Sequence, residues 1–207
     1  MKLTAIMVCV LILALTLPCF GFVNQHVKYA LHLLPGGTTN CQKKRPVLTD
    51  ETDLDRDWPT YDGIDVWLVV YDWDSVTVVE YGLDWPSAWG TSYYHGYCGD
   101  LVIGAITNPG DGVSMAWTVP NECRVKGENE PAFWPVGYNT LYPDSDGDIM
   151  IIPNPATGKY GVVNCGLPDF KFQEPPNWLF HACVGDPCEP QVPIEPTTWG
   201  SIKTMFR

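Results

Sequence analysis

Ile64 to Trp73 reads IDVWLVVYDW, a run of β-branched and aromatic residues with no stretch of helix formers. Similar runs recur: Val27 to Leu34, Val76 to Leu83, Leu101 to Thr107, Val113 to Val119, Ile149 to Ile152, Tyr160 to Val163 and Trp178 to Cys183. Turn residues separate many of them, as at Pro35-Gly36-Gly37, Asp74-Ser75, Asn108 to Gly112 and Pro153 to Gly158. Beyond residue 21, no stretch of 12 residues repeats its apolar positions with the helical period. Gly and Pro, 19 of each, supply the punctuation. These constraints predict an all-β chain, a two-layer β-sandwich of about 8–9 strands of Ig-like or jelly-roll type. The short spacing at Asp74-Ser75 predicts a β-hairpin between Ile64–Trp73 and Val76–Leu83. The Asn108 to Gly112 turn predicts a second hairpin.

The first residues predict export. Lys2 precedes an apolar run from Leu3 to Leu17, Pro18 breaks it, and small-residue spacing places cleavage after Gly21. The run is shorter than a membrane span needs, so residues 1–21 read as a signal peptide rather than an anchor. The protein is then secreted, with no membrane attachment after signal removal. Six cysteines remain: Cys41, Cys98, Cys123, Cys165, Cys183 and Cys188. An even number in an exported chain predicts disulfides, which staple the sandwich. Cys98 and Cys123 flank the second hairpin and form the best single pair by position. Cys183 and Cys188, with His181 beside them, lack the second close pair of a zinc site.

Residues 22–188 form the sandwich domain in this reading. Glu189 to Pro196 is a proline-rich linker. Thr197 to Arg207 is an amphipathic segment, predicted as a short helix, with Trp199, Ile202 and Phe206 on one face. Its apolar stripe and its basic residues Lys203 and Arg207 make it a candidate for partner docking. The rest of the chain is acidic. The whole carries 24 acids and 12 bases, and loss of the signal removes one lysine, leaving a net charge of −13. Such a charge disfavours nucleic acid as a partner.

The stretch from Asp65 to Pro86 (DVWLVVYD…VEYGLDWP) resembles secreted bacterial β-sandwich modules with a cohesin-like rhythm. The pieces Glu80 to Pro86, Asn108 to Gly112, Pro153 to Gly158 and the TTWGxIKxxFR-type tail, Thr197 to Arg207, are similar to a group of uncharacterised exported bacterial proteins. That resemblance implies fold and secretion and carries over no catalytic residue.

Three constellations could carry chemistry. Asp144, Asp146 and Asp148 alternate around Gly147 and offer oxygens to calcium, although the spacing is not an EF-hand. Asp50 to Asp57 is a second acidic run, read as solvated loop beside Lys43-Lys44-Arg45. Trp85, Trp89, Tyr93 and Tyr94 lie in a stretch read as a loop and are candidates to stack on sugars. Ser87, Ser92 and Ser114 lack a nucleophile elbow, the four histidines are scattered, and Glu80 or Asp84 alone does not make a glycosidase pair. The expectation is therefore a non-catalytic, secreted structural or interaction protein. Its expected partners are copies of itself or an extracellular surface, with a glycan- or calcium-binding module as the alternative.

Overall fold

Strand β3 (Ile64–Tyr71) forms where the sequence predicts it and is buried along its whole length. Its inward residues Val66, Leu68 and Val70 and its outward residues Trp67, Val69 and Tyr71 are all fully covered. It is a central strand: β1 (Lys28–Pro35) pairs with one edge and β10 (Trp134–Leu141) with the other, both antiparallel. β6 (Tyr94–Tyr97) pairs with β10 and completes a four-stranded layer. The computed structural model describes residues 24, 26–42, 44–118, 124–126, 131–165, 172–173, 180–185 and 188.

The second layer is built on β5 (Val78–Asp84). β8 (Gly112–Ala116) lies along one edge of β5 and β7 (Leu101–Gly104) lies outside β8. β12 (Gly161–Val163) and β11 (Gly147–Ile152) follow each other along the opposite edge. Beyond them lie β13 (Phe172–Gln173), next to β12, and β14 (His181–Val184), next to β11. β2 (Asp57–Trp58) joins β14 in parallel. A small ladder of β4 (Ser75–Val76) and β9 (Arg124–Val125) stands apart. Tyr29, Leu31, Val66, Leu68 and Trp134 of the first layer share one core with Val79, Tyr81, Leu83, Met115 and Ile149 of the second. The architecture is the predicted all-β sandwich. Among the described residues no helix is long and apolar enough to cross a membrane. The predicted C-terminal helix, with Trp199, Ile202 and Phe206, lies outside the described residues, as does the linker 189–196.

Two expectations about pairing are corrected. The hairpin predicted from Ile64–Trp73 to Val76–Leu83 does not form, because β3 and β5 belong to different layers. Both strands carry two paired edges, so each needs neighbours on both sides. The connection crosses the core instead, burying Trp73 against Trp134 at 4.9 Å, with Trp117 also against Trp134 at 4.5 Å. Buried Asn24 holds the crossing: its Oδ1 accepts from the backbone of Asp74 (2.7 Å) and Ser75 (3.1 Å). The hairpin at Asn108 to Gly112 does form, as β7 and β8. Asp111 Oδ2 accepts from the backbone N–H of Thr107 and Asn108, and Gly110 takes the left-handed conformation that the turn requires.

The second correction concerns the cysteines. Cys98 is bridged to Cys41, not Cys123. The chain after β1 crosses the outer face of the first layer. Gly37 N–H and the Thr39 hydroxyl donate to Asp65, and Trp67 Nε1 donates to the Thr39 hydroxyl at 2.8 Å. Cys41 therefore arrives beside the end of β6, where Cys98 lies. Cys183 is bridged to Cys188, and Cys165 is also disulfide-bonded. Cys123 lies outside the described residues.

This strap continues over β1. Leu48 packs on Ala30, Val69 and Tyr71 in a second, outer core, with Leu54 and Phe133 against it. His32 is buried beneath it and its Nδ1 accepts from the backbone N–H of Asp55 at 3.0 Å. Burial lowers the His32 pKa, against the opposing pull of Asp55 and Asp53. The unfolded chain therefore takes up this proton first, near pH ~6.5. Stability is full above that pH and declines as pH falls towards the lower folded pKa. Chemical denaturation of the wild type from pH 7.5 to about 5.5 should show this decline, and a His32→Gln variant should show a shallower one.

Candidate functional site

The predicted site residues separate into packing groups and surface groups. Trp85 and Trp89 are not free to bind. They are 4% and 6% exposed and belong to the main core. Trp85 Nε1 donates to the Gly90 carbonyl at 3.0 Å, closing the short turn at Ser87–Trp89. Trp89 Nε1 donates to the Ser145 hydroxyl at 3.2 Å, and its ring lies over Gly147, where a Cβ would come within 2.8 Å of it. Trp89 thus plugs the loop that carries the alternating aspartates. Because a large buried ring contributes mainly by packing, Trp89→Ala should lower the unfolding free energy by about 3–5 kcal/mol in denaturant titration.

The three aspartates do not share one focus. Asp144 Oδ1 accepts from Ser145, Asp146 Oδ1 accepts from the Tyr61 hydroxyl at 2.6 Å, and Asp148 Oδ1 lies 3.1 Å from His181 Nε2. Among the described residues, His181, Cys183 and Cys188 are the only three metal-ligating side chains that come together, and both of those cysteines are in the bridge. Glu80 is buried and accepts from Ser114, Asn154 and Thr157 at 3.0, 3.2 and 2.5 Å. The Pro153 to Gly158 turn thereby folds onto β5, and Glu80 serves to fasten it.

Tyr93 and Tyr94 are 68% and 61% exposed, although Tyr94 opens strand β6 and does not lie in the loop expected there. Tyr142, not anticipated from the sequence, joins them. Tyr93 meets Tyr94 edge-on at 5.3 Å and Tyr142 at 5.4 Å. The pairing of Tyr94 with Thr140 brings the end of β10 beside the start of β6. Gly63 leaves room for the Tyr142 ring, which a Cβ there would meet at 2.7 Å. No local signal links Tyr142 to Tyr93, since only strand pairing makes them neighbours.

The other surface feature is β7. Leu101, Val102 and Ile103 are 50%, 37% and 66% exposed. Among the described residues β7 pairs only with β8, and none of the described strands lies along its outer edge. Opposite Ile103 stands Ser114 and opposite Leu101 stands Ala116, which puts both side chains on the solvent face of the sheet. Val102, opposite buried Met115, sits at the rim of the core. A short apolar edge strand without a charge of its own is a template for pairing with another chain.

The chain matches no protein-family model, no curated protein and no solved structure.

Proposed function

We propose that this is a secreted, non-catalytic interaction protein of the cell exterior that assembles with copies of itself through β7. The observation that carries this reading is the exposed apolar edge at Leu101, Val102 and Ile103. An exported protein that leaves such an edge bare gains by covering it. The occupant we assign is the segment Thr197 to Arg207 of a neighbouring copy. It brings Trp199, Ile202 and Phe206 as apolar anchors, and Lys203 and Arg207 suit an acidic body. An amphipathic helix that lays its apolar face on an exposed apolar surface is a known mode of peptide capture, and the i, i+3, i+7 spacing of these three anchors suits it. The last described residue, Cys188, lies at the β14–β2 end of the same sheet that carries β7 at its other end. Five strand spacings, about 24 Å, separate the two ends. A segment leaving one end and docking at the other end of the next molecule propagates head to tail.

Sedimentation of the mature chain over a range of concentrations tests this. The expected result is a series of species larger than one chain, reduced to monomer by Leu101→Lys with Ile103→Lys and equally by deletion of Thr197 to Arg207, with melting unchanged. A monomeric wild type, or assembly that survives both changes, refutes it.

A second reading rests on Tyr93, Tyr94 and Tyr142, whose exposed rings could receive the apolar face of a sugar. Glycan-array binding in calcium and in EDTA separates this reading from the first. Binding abolished by Tyr142→Ala, in a chain that stays monomeric, would favour it.

A further inference from the structure

We infer that His181, Cys183 and Cys188 form a zinc site in the reduced chain, and that the Cys183–Cys188 disulfide is the oxidised, metal-free state of the same three residues. This is independent of the assembly reading. One ligand atom from each of the three residues lies within 4.8 Å of the others. Cys183 Sγ is 3.6 Å from His181 Nε2 and 3.9 Å from Nδ1. Tetrahedral zinc with its usual bonds to sulfur and nitrogen separates such atoms by about 3.6 Å, slightly less than the 3.9 Å found here between Sγ and Nδ1. His181 also has the outer partner that a metal-bound imidazole commonly has. Asp148 Oδ1 lies 3.1 Å from Nε2 and can hold that nitrogen protonated, which turns Nδ1 to the metal. Three protein ligands leave the fourth position to water.

The chemistry balances with a dithiol reductant. The dithiol gives two electrons and two protons to the bridge and closes to its own disulfide, leaving two thiols. Zinc then displaces both thiol protons and binds two thiolates. Either linkage fastens Cys188 to β14, where its backbone N–H also donates to Asp57 at 2.8 Å. The point from which the chain continues past residue 188 is thus held in both oxidation states.

The test uses the full mature chain, reduced with a phosphine that does not compete for metal, and cobalt(II) as the probe. The expected result is one equivalent of bound cobalt with the charge-transfer and visible bands of a tetrahedral thiolate site, displaced by zinc. Affinity should fall about tenfold or more in His181→Ala and about tenfold in Asp148→Asn. The oxidised chain should give no such bands. A Cys41→Ser, Cys98→Ser variant should keep the bands, since those thiols are also freed by reduction. Absence of thiolate–cobalt bands in the reduced wild type overturns the inference. So does their persistence in Cys183→Ser with Cys188→Ser, or indifference to His181→Ala in a variant whose far-UV spectrum is unchanged.

Discussion

Everything in this sandwich follows from burying β3 on both faces. A strand in a two-layer fold has one face on the core and one towards water. Here Trp67, Val69 and Tyr71 on the outer face are as apolar as Val66, Leu68 and Val70 on the inner. A third covering is therefore needed, and the strap from Gly37 to Asp57 provides it. Its anchor is Asp65, buried at the start of β3, which accepts from Gly37 N–H and from the hydroxyls of Thr39 (2.9 Å) and Thr140 (2.7 Å). A buried carboxylate left without donors costs several kcal/mol, of order ~2–5. Asp65 thus ties the strap to β3 and β10 at once. The Cys41–Cys98 bridge fastens the same strap across to the end of β6.

How far this could be read beforehand depended on the range of the forces involved. The β7–β8 hairpin was legible because Asn108 to Gly112 is a turn by its own chemistry, with Asp111 as its acceptor and Gly110 as its left-handed residue. The all-β class was legible for the same local reasons. β10 was not. It contains Pro135, Gly137 and Asn139, which read as loop residues, and it forms a strand only because β3 and β6 pair with it. Its register shift between Pro135 and Gly137 absorbs the proline that should have excluded it. The apparent hairpin at Asp74-Ser75 misled in the opposite sense. Its turn signal was real, yet Asn24, some fifty residues earlier, holds that turn as a crossing between layers.

The candidate sites divided along the same line. Tyr93 and Tyr94, read as loop residues, do lie on the surface, although Tyr94 belongs to β6. Trp85 and Trp89 share that reading, and only the contacts of Trp89 with Gly147 and Ser145 place it inside. A tryptophan followed by a small turn is compatible with either fate. Long-range packing decides between them, and an isolated sequence window does not contain it. The cysteines behaved likewise: oxidation followed from their even number and the expectation of export, whereas the pairing of Cys41 with Cys98 required the path of the strap.

The two layers end up unequally covered. The first layer is sealed outside by the strap, so its outer residues are spent on Leu48, Leu54 and Phe133. The second layer has the Pro153 to Gly158 turn fastened over Glu80, but Leu101 and Ile103 remain bare at its margin. In the assembly reading, that margin receives a neighbour's segment whose origin is fixed at the opposite end of the sheet by Cys188. An attachment point that wandered would spread the segment through a larger volume and lower its effective concentration at the next edge. In that reading, holding Cys188 to β14, by the bridge or by the proposed metal, would act on assembly without touching β7. The bridge closes only a five-residue separation. So small a loop constrains little of the unfolded chain compared with the 57-residue separation of Cys41 and Cys98. Its physical weight lies in where it holds the chain.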